Sequence, residues 1–266
     1  MDATPNAALA RIRAGKVALG LSVGLLPAPA MPQLARTAGY DWLAIDMEHS
    51  PLGLPDVARL SLLALPLAVT PVVRVRLEGL HDGVRALDAG AQGLLVPNVE
   101  TAEQARRIAD AVRFAPEGTR SWGAGAPTFG FAPPPVAEAV RQLNRETLAA
   151  AMIETQLGLD NAAAIAAVPG IDVLFVGTVD LSLALALPGG PDDPALWAAL
   201  VYVAEACRDN GKALGVGGLY DEQSLPRLLG LGARLLAGGS DHGFLLQAAS
   251  ARARLISRMS AAAGAA

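Results

Sequence analysis

The chain has 266 residues, of which 52% are apolar and only 4% aromatic, and it carries a formal charge of −4. That length suits one large α/β barrel of about 250 residues, and a core so poor in aromatics must be filled mostly by Ala, Leu and Val, which pack helices closely onto a parallel sheet. The negative balance argues against nucleic acid, whose binding needs a basic surface to displace counterions, and the single Cys207 leaves no internal disulfide and no cysteine zinc cluster, pointing to a reducing cytoplasm.

At the start, Arg11, Arg13 and Lys16 precede an apolar run at 17–26 and then Pro27-Ala28-Pro29-Ala30, the outline of a secretory leader. The basic residues, however, stand behind a polar start, and Gly20, Ser22 and Gly24 interrupt the run, so it reads better as a first strand. No stretch approaches the ~20 apolar residues that span a bilayer. From there, β-rich runs at 17–23, 41–46, 70–75, 93–97, 150–154, 172–176, 213–216 and 234–238 alternate with helical segments. The helices are expected at 32–37, 55–63, 79–87, 101–114, 159–166, 194–210 and 221–229, with a last one at 243–259. Thr101 with Gln104 makes a capping box, and Asn210-Gly211 closes the long sixth helix.

Repeated strand–helix units predict a single-domain (β/α)8 barrel of the TIM type over residues 1–266. A doubly wound open sheet is the alternative, but no glycine-rich dinucleotide fingerprint follows the first strand. Residues 117–135 break the rhythm with Gly, Pro and aromatics, and are expected to form a lid over the barrel mouth. The Ala-rich tail after Ser260 is expected to fray.

In such a barrel, chemistry gathers at the carboxyl ends of strands. The second strand ends in Asp46-Met47-Glu48-His49, Arg74 closes an apolar third strand, Glu154 ends the fifth, Asp180 follows the sixth, and Asp241-His242 follow the eighth. Glu154 and Asp180 suit Mg²⁺ or Mn²⁺, leaving coordination positions for water and substrate; the alternative is that each caps the helix that follows. Arg74, costly to bury alone, should face anions in the mouth or form a structural ion pair. His49, with Asp46 and Glu48 beside it, is a candidate general base, or else an exposed loop residue. Three scattered histidines make a three-histidine zinc site a poor fit. The only lysines, Lys16 and Lys212, precede strands and should lie at the opposite face, which leaves no pocket lysine for a Schiff base.

These residues match a family. DWLAIDMEH at 41–49, PVVRV at 71–75, LDAGAQGLLVP at 87–97, TAEQA at 101–105, IET at 153–155 and FVGTVDLS at 175–182 resemble the HpcH/HpaI class II pyruvate aldolases over nearly the whole chain. The resemblance implies reversible cleavage of 4-hydroxy-2-oxo acids into pyruvate or hydroxypyruvate and an aldehyde, using a divalent cation (Mg²⁺, Mn²⁺ or Co²⁺). It makes His49 the base with Asp88 raising its basicity, Arg74 the stabiliser of the enolate oxygen, and Glu154 and Asp180 the metal ligands. Backbone groups near Val179 and Asp180 would hold the substrate carboxylate. It also implies a homo-oligomer, hexamer or trimer, with the C-terminal helix exchanged between subunits. Asp88 precedes the fourth strand, so a packed carboxylate on the amino-terminal face is its alternative.

Two positions depart from the family pattern. Met152 stands where Gln is usual, removing a polar contact to the keto acid, and Thr178-Val179 stand where Pro-Ala is usual, altering the floor under its carboxylate. Trp122, Phe129 and Phe131 in the segment 117–135 would wall the aldehyde site or else pack as ordinary core. The glycines at 215–218 and 238–239 leave open a phosphate-handling barrel. The same architecture could also serve an acyl-CoA lyase or a barrel that binds keto acids without turning them over.

Overall fold

The computed structural model describes residues 2–123, 126–187 and 190–264. Among them, eight parallel strands close in chain order into a barrel: β1 (Ala18–Val23), β2 (Trp42–Asp46), β3 (Thr70–Arg74), β4 (Gly93–Val96), β5 (Leu148–Ile153), β6 (Val173–Gly177), β7 (Ala213–Gly217) and β8 (Ala233–Ser240). Closure is made by β8 pairing with β1, where Ala18 faces Leu235. This is the (β/α)8 barrel the sequence predicts, and the open sheet is excluded.

The helices are α1 (Ala7–Arg13), α2 (Met31–Thr37), α3 (Leu54–Ala64), α4 (Leu80–Asp88), α5 (Ala102–Val112), α6 (Val136–Glu146), α7 (Gln156–Asp160), α8 (Ala162–Ala166), α9 (Thr178–Ala184), α10 (Pro194–Asp209), α11 (Ser224–Gly230) and α12 (Asp241–Gly264). The Thr101–Gln104 capping box is present at α5. Gly211, at φ +64°, closes α10 in the left-handed conformation that suits glycine. Sequence reading misses α1, α6 and α9. The α1 segment, which looked like the charged start of a leader, is instead pinned into the barrel by buried Asn6. Its Oδ1 caps Leu9 N–H at 2.9 Å, and its Nδ2 donates to Gln92 O and Glu146 O at 2.9 and 3.0 Å. The last helix runs past Met259 to Gly264, so the tail is not frayed that far; residues 265–266 lie outside the described residues.

Two apolar layers hold the barrel. Between sheet and helices the core is aliphatic as expected, with Val57, Leu60, Ile108, Ile165, Leu200 and Leu228 all fully buried. Burying each such side chain contributes about 1.5–3 kcal/mol. Inside the barrel the core is again mostly Ala, Leu and Val, as expected, with two aromatic rings added: Trp42 and Phe175 meet edge-on at 6.5 Å and 85°. Glycine makes that possible: a Cβ on Gly20 would lie 2.1 Å from the Trp42 ring, and one on Gly215 would lie 2.4 Å from Phe175. Gly215 thus has a packing reason that needs no phosphate.

The lid expectation is overturned. Segment 117–135 connects α5 to α6, and α5 runs back from the mouth, so this connection lies at the amino-terminal face. Thr4 N–H donates to Thr128 O there at 2.7 Å. Phe129 is fully buried in a cluster with Ala3, Phe114, Ala139 and Leu143, Trp122 packs on Phe114 at 5.9 Å, and Phe131 is exposed. Residues 124 and 125 of the segment lie outside the described residues. Lys212 is at that end too, as expected, its Nζ donating to Val168 O and Ile171 O ahead of β6. No helix among the described residues is long and apolar enough to cross a membrane.

Candidate active site

The carboxyl ends of the strands enclose a cavity of about 270 Å³, near the lower end for small-molecule sites. Trp42, Leu95, Met152 and Phe175 make an apolar floor, and Asp46, Arg74, Glu154 and Asp180 form one wall. Four strand ends, β2, β3, β5 and β6, supply that wall, which is the convergence the strand-end rule predicts.

Register explains the first pair. Asp46 and Arg74 are opposite one another across β2 and β3. Their side chains meet as a two-armed ion pair, Nε to Oδ1 at 3.0 Å and Nη2 to Oδ2 at 2.5 Å. Glu48 adds its Oε2 at 3.6 Å from Arg74 Nε. Burial alone would raise the Asp46 carboxyl, but the Arg74 hydrogen bond and charge, with the backbone N–H groups of Glu48 and His49, hold it below its ordinary value. For Arg74, burial is likewise outweighed, by Asp46, Glu48 and Glu154, and its proton is held more tightly than usual. The structural ion pair left open for Arg74 is therefore realised, and its guanidinium still lines the cavity.

Glu154 is almost sealed from solvent, at 3% exposure. Its Oε2 accepts a single backbone bond, from Asn98 N–H at 3.1 Å. Burial first, then the charges of Asp180 and Glu48, push its pKa up to about 7, against the lowering effects of Asn98 and Arg74. Helix capping does not explain either carboxylate: Thr155 caps α7 through Gly158 N–H, and Gly177 occupies the N-cap position of α9. Gly177 instead lets β6 approach Glu154, since a Cβ there would lie 2.5 Å from Oε1. Among the described residues, no group of three or more His, Cys, Asp or Glu is arranged to hold a metal. The Glu154–Asp180 pair thus offers hard oxygen donors in electrostatic excess with positions left for water and substrate, which fits Mg²⁺-like ions.

The remaining sequence candidates divide. Met152, 4% exposed, lies in the cavity floor, and Val179, 60% exposed, sits on its rim. Thr178 Oγ1 donates to Gly217 O at 2.8 Å, tying α9 to β7. His49 lies on the loop after β2 with its ring 66% exposed, and Nε2 is 3.5 Å from Glu48 Oε2. Asp46 shapes that loop through its bonds to Glu48 N–H and His49 N–H.

Asp88 is not with His49 in the same chain. It ends α4 at the opposite face and pairs with Arg120 Nη2 at 2.7 Å, because a helix following a strand descends and delivers its last residue to the amino-terminal side. Trp122 lies on that side as well, lining a small crevice with Asp88 and Arg120. Ser22, Tyr220 and Ser240, which sequence reasoning left out as site residues, form with His242 the wall opposite Arg74. The strand-end rule reached His242, yet nothing in its local sequence distinguishes a cavity side chain from an exposed helix start.

Comparison with known proteins agrees with this geometry. The family model described as HpcH/HpaI aldolase/citrate lyase matches residues 25–248. The chain is similar to the 4-hydroxy-2-oxovalerate aldolase of Novosphingobium aromaticivorans, at 40% identity covering 91% of this chain and 90% of that one. It is 37% identical to the hydroxypyruvate/pyruvate aldolase of Pseudomonas aeruginosa, covering 93% and 91%. The crystal structure of an HpcH/HpaI aldolase from Desulfitobacterium hafniense superposes with a TM-score of 0.87 at 27% identity, covering 93% of this chain and 95% of that one.

Proposed function

The chain belongs to the HpcH/HpaI aldolase/citrate lyase family, and we propose that it is a metal-dependent aldolase that reversibly cleaves 4-hydroxy-2-oxo acids into pyruvate or hydroxypyruvate and an aldehyde, by way of an enolate. One observation carries the reading. Glu154, 3% exposed, lines the mouth cavity together with Asp180 and Arg74, a pair of hard oxygen donors beside a fixed cation that suits a bound dication and an enolate.

In this reading Glu154 and Asp180 hold Mg²⁺, Mn²⁺ or Co²⁺. The cation polarises the keto oxygen when bound and spreads its developing charge. The rest is done by side chains of the protein. Arg74, held in the wall by Asp46, presents a planar cation to the enolate oxygen. Backbone N–H groups near Val179 and Asp180 orient the substrate carboxylate, and Met152 with Thr178 shapes the floor that distinguishes one 2-oxo acid from another. His49 leads the proton relay: a proton leaves the C4 hydroxyl as the C3–C4 bond breaks, the aldehyde departs, and C3 of the enolate is protonated.

Because one chain keeps His49 and Asp88 at opposite faces, the dyad implied by the family forms between copies. A homo-oligomer, trimer or hexamer, brings Asp88 of one subunit, with Trp122 beside it, to the mouth of another. Exposed Leu246, Ile256 and Met259 on α12 suit exchange of that helix between subunits. Residues 1–266 act as one barrel domain, working in the cytoplasm on small molecules rather than on nucleic acid or membrane.

Proton NMR of pyruvate in D₂O tests the function. With enzyme and Mg²⁺ or Mn²⁺ the methyl signal should decay through exchange at C3, and chelation should stop the decay. A barrel that only binds keto acids would perturb the signal without washing it out.

A further inference from the structure

Across the cavity from Arg74 and Glu154, the wall carries hydroxyls and one imidazole: Ser22 on β1, Tyr220 after β7, Ser240 at the end of β8 and His242 in the first turn of α12. These side chains have no part in forming the enolate. One of them, His242, is held by its neighbour. Asp241, its side chain fully shielded from solvent, accepts the backbone N–H groups of Gly24, Leu25 and Leu26 at 3.3, 2.9 and 2.7 Å. Its other oxygen accepts His242 N–H at 2.8 Å and stands 3.5 Å from His242 Nδ1. A carboxylate there favours the tautomer protonated at Nδ1, and Nε2 then faces Ser240 Oγ at 3.5 Å. Ser240 Oγ is itself contacted by Gly243 N–H at 3.3 Å. The result is a hydroxyl and an imidazole side by side, able to donate and accept, with the apolar floor of Trp42 and Phe175 between them and the wall of Arg74, Glu154 and Asp180.

We propose that Ser240 and His242 recognise the hydroxyl groups of a hydroxylated aldehyde, and so set which aldehyde partner is used; this rests on the aldolase reading. With the 2-oxo acid portion at Arg74, Glu154 and Asp180, the aldehyde portion extends across the floor to β8. A semialdehyde carrying its own carboxylate fits less well, because among the described residues no lysine or arginine besides Arg74 lines the cavity, and Asp241 lies directly behind His242. An alkyl aldehyde offers this pair no hydrogen bond, so a hydroxylated aldehyde gains one or two bonds that the alkyl analogue lacks.

The experiment measures kcat/KM in the synthesis direction with pyruvate and glyceraldehyde, propanal or succinic semialdehyde, using the full chain with Mn²⁺. Wild type should prefer glyceraldehyde to both others by about tenfold or more, the scale of one or two hydrogen bonds. In His242→Phe and, separately, Ser240→Ala, the glyceraldehyde-to-propanal ratio should fall about tenfold and about threefold. A merely structural role would lower both substrates together and leave the ratio unmoved, and that outcome overturns the proposal, as does a wild-type preference for propanal or succinic semialdehyde. Methyl exchange of pyruvate in D₂O by wild type separates the two failures. Exchange with unmoved ratios sinks only this inference, whereas no exchange sinks the aldolase reading and this inference with it.

Discussion

Arg74 grips Asp46 with both arms, Nε on Oδ1 at 3.0 Å and Nη2 on Oδ2 at 2.5 Å, while its guanidinium still faces the catalytic cavity. The pair presets the direction of the fork before substrate arrives. Lysine carries the same charge on a single point and cannot make both contacts. Arg74→Lys should therefore lower kcat about a hundredfold or more, the scale of a lost oxyanion donor, with the fold intact by circular dichroism. Turnover within a few-fold of wild type would reduce Arg74 to a structural partner of Asp46.

If Glu154 is a metal ligand, removing its charge should weaken cation binding. In Glu154→Gln one of the two carboxylates is gone while the shape of the buried side chain is kept. Titration calorimetry should show Mn²⁺ binding weakened by at least about a hundredfold, since a lost anionic ligand costs several kcal/mol in a low-dielectric site. Exhaustive chelation of wild type should abolish turnover, with recovery on adding Mg²⁺, Mn²⁺ or Co²⁺. Full activity after chelation would show that no cation takes part.

The barrel and half of its site are legible in sequence for a common reason. Asp46, Arg74, Glu154 and Asp180 stand at or just after β-rich runs, and in this fold a strand's end is the mouth. Asp88, which precedes the fourth strand, lies on the amino-terminal face as its position allowed, whereas sequence reading misplaces Trp122 because its segment follows a helix and not a strand. Segment 117–135 reads as a lid because α6, which begins just behind Pro133-Pro134-Pro135, is not recognised, so nothing marks the segment as a link between two helices at the amino-terminal face. The Trp42–Phe175 contact was not legible for a different reason: the rings fit only because Gly20 and Gly215, distant in sequence, leave room for them.

Asp241 links acid stability to the site. Burial alone would raise its carboxyl, but the backbone N–H groups of Leu25, Leu26, His242 and Gly24 hold it below the ordinary 3.8. A depressed folded-state pKa means that this stabilisation is fully present above pH 3.8 and is lost as pH falls through the folded value. Asp241→Asn should cost about 1–2 kcal/mol at pH 7, as expected for removing a charged acceptor of several N–H groups. Urea midpoints should converge for wild type and variant as pH drops below that window. A variant equally stable at pH 7 would mean that water replaces the carboxylate without cost.

Met152 sits 4% exposed in the floor, and a Cβ on Gly177 would come within 3.0 Å of its Cε, so the thioether is closely confined beside Glu154. Met152→Gln preserves length and adds a donor and an acceptor facing the 2-oxo acid. The ratio of kcat/KM for hydroxypyruvate over pyruvate should shift by roughly one order of magnitude, the worth of a single gained hydrogen bond. An unchanged ratio would show that substrate does not reach this side chain.

The pairing of His49 with Asp88 can be tested by mixing subunits. One chain keeps the two residues at opposite ends of the barrel, with Asp88 engaged by Arg120 at 2.7 Å and His49 beside Glu48. If they cooperate, each complete site takes His49 from one copy and Asp88 from another. His49→Ala and Asp88→Asn should each be inactive or nearly so as pure proteins. After exchange of subunits in equal mixture, a site is complete when a chain with intact His49 meets one with intact Asp88. Random assortment makes that about one site in four, so about a quarter of wild-type activity should return. A salt bridge that serves stability alone predicts no recovery, because every subunit would keep its own defect. Recovery also locates Trp122, which lies in the same crevice as Asp88 and must travel with it. Trp122→Ala, mixed with His49→Ala, should then pass its effect on aldehyde preference to the neighbouring site rather than to its own.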